Sequence, residues 1–391
     1  MSQNQYDRLG ASASKAGLHS TLAAEGLAAS KELFASVVED LSGDPNFASF
    51  VHADGSGTKS LVAYLHYKDT GSIELFSGLA DDALVMNLDD IYCIGRPERM
   101  VLSNTIGRNA KLIGDDIIGA IIGRYRQLTE ELSAMGVPIA LGGGETADCG
   151  DIVRTIVVDA TMAGRIAKKN LIRASEIQIG DAIVGLASFG KASYESKTNS
   201  GIGSNGLTLA RHCMLRSNYR EQYPECCEPS LGSDIAYRGP YKTTDSVPGL
   251  GMSVGEALSS PTRTYAPVLN KIYESLGREI HGVIHNTGGG QTKVLRFGTG
   301  KKFIKDNLFP CPKIFELIQE HGGVPWKEMY QVFNMGHRIE IYCPKAQAEK
   351  VIAIAGSFSI EARIIGRVEA STERGNCLEL QSEHGEFSYN Y

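Results

Sequence analysis

The sequence predicts an α+β protein of two domains, and three observations carry that expectation. The chain has 391 residues with 42% hydrophobic content, enough for two packed cores of ordinary size. Up to residue 165 the hydrophobic pattern runs strand, helix, strand, helix, strand, strand, which suits a sheet with helices on one face. The polar stretch Lys168-Lys169-Asn170 then separates this block from a second one of similar strands and helices. The expected domains are therefore 1–168 and 169–391.

Residues 1–29 are rich in Ala, Ser and Gly and read as a mobile lead-in, with Tyr6, Gly10 and Lys15 as notable residues. Ser30 is placed to cap a helix over 30–41, with Leu33, Phe34, Val37, Val38 and Leu41 on one face. A strand over 47–53 delivers His52-Ala53-Asp54-Gly55-Ser56-Gly57-Thr58-Lys59, and the apolar run over 61–67 reads as a second strand. Gly55 and Gly57 permit a tight turn that offers backbone N–H groups to an anion. Asp54 suits a divalent cation, and Lys59 suits phosphate. Taken alone, the octapeptide also reads as a glycine-rich hairpin turn with a solvated Asp and Lys.

A short strand over 73–76 precedes a helix over 77–94, whose Leu84, Leu88 and Ile91 form a buried stripe. Two helical turns bring Asp82 under Asp89 and Asp90 along one edge. Asp82 is favourable near the helix N-terminus, but Asp89 and Asp90 near the other end need a positive partner, and a bound metal would serve. A strand over 100–105 follows, then a helix over 115–135 with Ile117, Ile118, Ile121, Ile122, Tyr125, Leu128 and Leu132 on its apolar face. A buried strand over 137–141 runs into Gly142-Gly143-Gly144-Glu145-Thr146, a second meeting of backbone donors and an acid. A long alternating strand over 152–165 closes the block.

The second block opens with a strand over 180–188 and a polar excursion. Gly201-Ile202-Gly203-Ser204-Asn205-Gly206 then starts a helix over 207–215. This is a literal G-x-G-x-x-G, yet a dinucleotide turn needs strand, glycines and helix in immediate succession, and here a long loop intervenes. Residues 217–255 are too long for a structureless loop and read as an ordered insertion or a lid. A helix over 261–276 leads to a strand over 280–284, which delivers His285-Asn286-Thr287-Gly288-Gly289-Gly290. A lone His at a strand end is first of all a hydrogen-bonded core residue. Helices over 312–321, 327–334 and 345–355 and strands over 337–342 and 360–368 complete the pattern.

Several classes are disfavoured. The net charge is −6 with no basic run, which does not indicate a nucleic-acid surface. The apolar stretches are far short of the roughly 20 residues that span a bilayer. The N-terminus is polar and lacks a signal-peptide core. Eight scattered cysteines with no C-x-x-C pair point to free thiols in a reducing cytoplasm. No P-loop, H-E-x-x-H, G-x-S-x-G or kinase motif set occurs. What remains is a series of glycine knots beside acids and hydroxyls, with an acidic helix edge. That combination suits Mg²⁺ and phosphate held by carboxylates and backbone donors.

Taken in order, the motifs resemble those of the aminoimidazole ribonucleotide synthetase (phosphoribosylformylglycinamidine cyclo-ligase) family. The residues that carry the resemblance are Asp54 to Lys59, the helix bearing Asp82 to Asp90, and Gly143-Gly144-Glu145-Thr146. Beyond the domain change they are Ser204-Asn205-Gly206, Pro261-Thr262-Arg263, His285 with Thr287 to Gly290, and Met329-Tyr330 with Phe333-Asn334-Met335-Gly336. The resemblance implies an N-terminal ferredoxin-like sheet that forms a barrel in a homodimer, and a C-terminal sandwich-like domain. It implies an ATP- and Mg²⁺-dependent ring closure of a small nucleotide, formylglycinamidine ribonucleotide. Metal would fall to Asp54, Asp82, Asp90 and Glu145, and catalysis to Asp54, Lys59, Asp90 and His285. The nucleotide would contact Gly55, Gly57, Thr58, Lys59, Gly143, Gly144, Thr146, Ser204, Asn205 and Gly206. Four features depart from the family pattern. Ile202-Gly203 stand where Pro-His is usual, His337-Arg338 where small apolar residues are usual, and Asp89 where Asn is usual. The 217–255 segment is also longer. Selenophosphate synthetase and thiamine monophosphate kinase share the implied scaffold, and a catalytically silent nucleotide-binding dimer is the alternative of a different class.

Overall fold

A computed structural model describes residues 4–13, 16–25 and 30–390. Lys15 of the expected lead-in lies outside the described residues. The described part of that lead-in makes two helices, α1 (Gln5–Arg8) and α2 (Ala16–Ala24). Helix α1 is tied to distant residues, with the Tyr6 N–H donating to Glu328 at 2.9 Å and Arg8 paired with Asp234 at 2.6 Å.

The first sheet contains β1 (Val38–Glu39), β2 (Phe47–Gly55), β3 (Arg99–Arg108), β4 (Ile139–Asp148) and β5 (Ile156–Ala167) in the order β1-β2-β5-β3-β4. Interleaved with them are α3 (Lys59–Thr70), α4 (Glu74–Tyr92) and α5 (Asp115–Ala134). Helix α5 has the apolar face its 3.6-residue period demands, although Ile122 is on the solvent side. Helices α4 and α5 pack together over one face of the sheet. The opposite face carries the exposed side chains of Val51, Val101 and Val157.

Four local expectations are corrected here. The region over 30–41 is not helical: the Ser30 hydroxyl caps a turn by accepting from the N–H groups of Glu32 and Leu33, and β1 follows. Its apolar residues face separate neighbours, with Phe34 stacked on Phe297 at 5.5 Å between ring centroids and Leu41 in solvent. The run over 61–67 is helix α3, closed by Gly71 at φ 75°, a left-handed conformation suited to glycine. No strand forms over 73–76, because α4 already begins at Glu74. Gly142 to Thr146 is not a loop but the middle of β4, paired in parallel with β3 from Met100–Ile139 to Arg108–Asp148 across one irregularity.

The second sheet has seven strands in the order β12-β11-β8-β10-β6-β9-β7. Its strands are β6 (Asp181–Ala187), β7 (Gly282–His285), β8 (Lys301–Lys305), β9 (His337–Pro344), β10 (Ala362–Ala370), β11 (Cys377–Ser382) and β12 (Gly385–Asn390). Strand β8 and the closing β11–β12 hairpin were not read from the sequence. The helices of this half are α6 (Leu207–Met214), α7 (Asn218–Gln222), α8 (Val254–Leu258), α9 (Ala266–Leu276), α10 (Lys313–Gly322), α11 (Trp326–Val332) and α12 (Lys345–Ser357). Helix α9 starts at Ala266 rather than at 261, which leaves Pro261 to Thr264 extended against α4. At the heart of the sheet Glu340 accepts from Lys305, Asn286 and Tyr342 and contacts His337, all fully or almost fully buried.

The 217–255 segment is an ordered brace. Tyr64 of α3 donates to Glu225 at 2.6 Å, Asp69 accepts from Tyr219 and Thr243, and Arg154 donates to the Cys227 carbonyl at 2.5 Å. Helix α8 carries a complete capping box between Ser253 and Glu256.

Beneath this brace His212 is buried, its Nδ1 accepting from the Tyr237 N–H at 3.2 Å, while Nε2 has no partner among the described residues. Burial, with the charge of Arg211 added, lowers its pKa from 6.5 to about 2. The unfolded chain therefore binds a proton below pH 6.5 that the folded chain refuses, and stability falls as pH falls from 6.5 towards 2. We expect His212→Asn, which keeps an acceptor but cannot ionise, to flatten this acid-side slope by up to about 1.4 kcal/mol per pH unit. Urea unfolding of both proteins from pH 7 to 5 checks it, and parallel slopes would refute the assignment.

Candidate active site

The turn from β2 into α3 places Lys59 as the first helical residue, and its side chain runs inward. Lys59 is fully buried, and its Nζ donates to Asp82 Oδ1 at 2.6 Å and to the Ser260 carbonyl at 2.7 Å. Asp82 Oδ1 also accepts from the Thr262 N–H (2.9 Å), the Thr262 hydroxyl (2.6 Å) and the Ser204 hydroxyl (3.0 Å). Its second oxygen, Oδ2, is buried and has no hydrogen-bond partner among the described residues. Burial lowers the Lys59 pKa, and the Asp82 charge opposes that shift.

One helical turn from Asp82, Met86 lines the interior, and two turns away the remaining acids of α4 find separate partners. Asp89 is buried and accepts from the Thr264 hydroxyl at 2.7 Å and from the Tyr265 N–H at 3.0 and 3.1 Å, at the start of α9. Burial raises its pKa to about 7, against the pull of the Thr264 hydrogen bond and the Arg338 charge. Asp90 Oδ1 is 2.7 Å from His285 Nδ1, and its Oδ2 is 3.5 Å from His52 Nε2. His285 Nε2 is in turn 2.7 Å from Arg338 Nη2.

A guanidinium only donates, so His285 Nε2 accepts and the ring proton is on Nδ1, directed at Asp90. Burial and the neighbouring Arg338 charge lower the His285 pKa to about 4, so it is neutral near pH 7. Burial works to raise the Asp90 carboxyl, but the hydrogen bond from His285 and the neighbouring charges, Lys293 among them, together outweigh it and hold Asp90 below its ordinary value. The compensation expected from a metal at the end of α4 is thus partly supplied by the start of α9 and by His285.

The remaining residues singled out in the sequence fall into two groups. Thr58 meets Thr208 of α6 at 3.0 Å, which joins the Gly55–Thr58 turn to the helix that follows Ser204-Asn205-Gly206. A Cβ at Gly55 would stand 1.7 Å from Asp159 Oδ1, so the Asp159 side chain would have to turn away to admit one. Asp54 accepts the Gly55 N–H at 2.7 Å, and Gly206 is the left-handed residue that starts α6. Burial raises the Tyr6 phenol of α1, opposed by a hydrogen bond from the Gly206 backbone. Gly143, Gly144, Glu145 and Thr146 are elsewhere, exposed on β4. The sheet register runs Gly55–Asp159–Thr105–Glu145, so three strand spacings, about 14 Å, separate Gly55 from Glu145 within one chain. Among the described residues no three His, Cys, Asp or Glu side chains converge as a ready metal site.

Sequence reasoning passed over Thr262, Thr264, His52 and Arg338. Thr262 and His52 lay inside quoted motifs but had no assigned work. Arg338 was visible only as a departure from a pattern.

Two family models match the chain. They are the N-terminal domain of AIR synthase related protein over residues 35–166 and its C-terminal domain over 178–375. The phosphoribosylformylglycinamidine cyclo-ligase of Methanocaldococcus jannaschii is 31% identical over 322 residues, covering 82% of this chain and 78% of that protein. Among solved structures, thiamine monophosphate kinase from Aquifex aeolicus aligns with a TM-score of 0.56 at 12% identity, over 94% of this chain and 97% of that one. T. maritima PurL complexed with FGAR aligns with a TM-score of 0.50 at 14% identity, over 90% of this chain and 46% of that one. At these identities the two structural likenesses concern the fold.

The Lys59–Asp82 contact yields a direct test. Lys59→Met leaves a buried carboxylate without its cation and should lower the unfolding free energy by about 3–5 kcal/mol. Adding Asp82→Asn should recover most of that loss, because the orphaned charge is then gone. A double-mutant cycle by chemical denaturation measures this, and additive losses would refute it.

Proposed function

Because the chain belongs to the AIR synthase related family, we propose that it catalyses the ATP-dependent cyclisation of formylglycinamidine ribonucleotide to 5-aminoimidazole ribonucleotide. ADP and phosphate are released, and the step serves purine biosynthesis. The observation that carries this reading is convergence. Lys59, Asp82, Ser204 and Thr262, from four separate motif segments, share one carboxylate oxygen, and Asp90 with His285 stands two turns along the same helix.

In the proposed reaction the formyl-amide oxygen is phosphorylated by ATP, an amidine nitrogen of the same substrate attacks that carbon, and phosphate leaves. The nucleophile is already tethered, so the protein's work is positioning and charge neutralisation. The turn at Gly55, Gly57 and Thr58 and the turn at Ser204, Asn205 and Gly206 are the phosphate cradles of this reading. Lys59, committed to Asp82, acts by orienting that acid rather than by touching phosphate. His285 is neutral and positions Asp90.

The donor set also fits Mg²⁺ that arrives with nucleotide. Asp82 Oδ2 is a carboxylate oxygen without a donor, and Asp54 and Asp90 are the other acids of this set. Mg²⁺ commonly takes one or two carboxylates and completes its shell with phosphate oxygens and water, which suits a site without three converging ligands. Bound there, it would neutralise phosphate charge.

A homodimer with joined first sheets is part of this proposal. Its support is the uncovered sheet face, on which Val51, Val101 and Val157 are 62%, 50% and 43% exposed, together with the outer edge of β4, which pairs with no further strand among the described residues. Gly143, Gly144, Glu145 and Thr146 lie on that edge, so in a dimer they face the partner. The eight free cysteines suit the cytoplasm.

Purified protein given ATP, Mg²⁺ and formylglycinamidine ribonucleotide should release ADP and phosphate in step with aminoimidazole product. Tight ATP binding without substrate-dependent turnover would favour a silent nucleotide-binding dimer instead. Asp90→Ala should cut turnover by about 100-fold or more while leaving fold and assembly intact by circular dichroism and sedimentation. Activity within a few-fold of wild type would remove Asp90 from the site.

A further inference from the structure

Arg338 is at the second position of β9 and is 2% exposed. Its Nη2 is committed to His285 Nε2 at 2.7 Å and to Met86 Sδ at 3.5 Å. Among the described residues it has no carboxylate within ion-pair distance and no acceptor for Nε or Nη1. Neither nitrogen is among the polar atoms that are sealed from solvent without a partner. Both therefore reach space that a small group or water can enter. A buried guanidinium with donors unmatched is costly unless something accepts them.

The nearby acids do not fill that role. Asp82 Oδ1 has Lys59, Ser204 and Thr262, Asp89 caps the start of α9, and Asp90 Oδ1 takes His285. They act on Arg338 through space only.

What does touch the guanidinium is Gly203. A Cβ at that position would stand 3.2–3.3 Å from Nη1, Cζ and Nε alike, closer than ordinary van der Waals contact. Gly203 has φ 69°, and Gly206, three residues on, has φ 78° and opens α6. A side chain at 203 would press on the guanidinium and push it back by a few tenths of an ångström, so glycine there lets Arg338 lie directly against the turn. The two departures noted in the sequence, Ile202-Gly203 and His337-Arg338, meet in space and form one local arrangement.

We propose that Arg338 is a phosphate contact, one of its unmatched N–H groups, on Nε or Nη1, donating to an oxygen of a phosphate group held at the Gly203–Gly206 turn. Nε and Nη1 lie on different edges of the guanidinium, each shared with the committed Nη2, so the contact is a single charge-assisted N–H donation from a group that stays charged near neutral pH. Gly203 and Gly206 let the backbone approach the same group. The proposal rests on reading Ser204 to Gly206 as a phosphate cradle. Either the nucleotide or the ribonucleotide substrate can supply the phosphate, and binding measured for each ligand separately identifies which.

The test uses the full-length protein with wild type, Arg338→Met and Arg338→Lys. Inorganic phosphate should raise the Tm of wild type and not that of Arg338→Met. Calorimetric titration with a non-hydrolysable ATP analogue, and separately with formylglycinamidine ribonucleotide, should show one of the two bound about 10- to 100-fold more weakly by Arg338→Met. Arg338→Lys retains the charge that faces Asp82, Asp89 and Asp90 but not the planar guanidinium with its donors at Nε and Nη1, and should show a smaller loss for the same ligand. It serves as the deciding variant if Arg338→Met does not fold. Affinities within two-fold of wild type for phosphate and both ligands, in either variant, overturn the proposal. Wild type that cyclises substrate under that outcome leaves the proposed function standing. An Arg338-dependent phosphate response without turnover does the reverse.

Discussion

One carboxylate oxygen, Asp82 Oδ1, is the point on which the arrangement of the two halves depends. It gathers the Lys59 ammonium, two hydroxyls and a backbone N–H from segments up to 180 residues away. Removing an ammonium and a carboxylate from water is expensive, and their mutual attraction repays it only when geometry is good and further hydrogen bonds are made. The donors at 204 and 262 are thus conditions on the Lys59–Asp82 pair. Asp89 and Asp90 repeat the device two turns along, one anchoring the start of α9 and the other the end of β7. Helix α4 is therefore a rack that sets the loop at 260–262, helix α9 and strand β7 in register with the β2–α3 turn.

This explains how far the sequence could be read. Helix α5 was legible because its apolar residues repeat along a solvent-facing cylinder, and β2, β3 and β5 because one sheet face is covered and the other is open. Helix α3 was misread because Leu61 to Leu65 is a continuous apolar run, which periodicity cannot assign, and Gly71 was the signal that decided it. The glycines of β4 suggested a loop, yet parallel pairing to β3 tolerates them with Gly143 at φ 119°. Within the site the acids of α4 were visible as a helix edge. Their partners were not, because Thr264 and His285 lie 175 and 195 residues from the acids they satisfy.

The protons of the Arg338–His285–Asp90 and Asn87–His52 contacts can be followed, and they say what the pocket lacks. Arg338 donates to His285 Nε2, so His285 donates from Nδ1 to Asp90. Asn87 directs its amide nitrogen at the carbonyls of Asp54, Ala83 and Ala160, so its oxygen accepts from His52 Nδ1 at 3.0 Å. His52 Nε2 then faces Asp90 Oδ2. After these assignments two kinds of group are left open. One is carboxylate oxygen, above all Asp82 Oδ2. The other is the pair of unmatched guanidinium donors, Nε and Nη1 of Arg338, beside Gly203. A cation alone answers the first and an anion alone the second. A phosphate group carrying its own divalent cation answers both at once, and that is the ligand class for which such a pair of deficits is complementary.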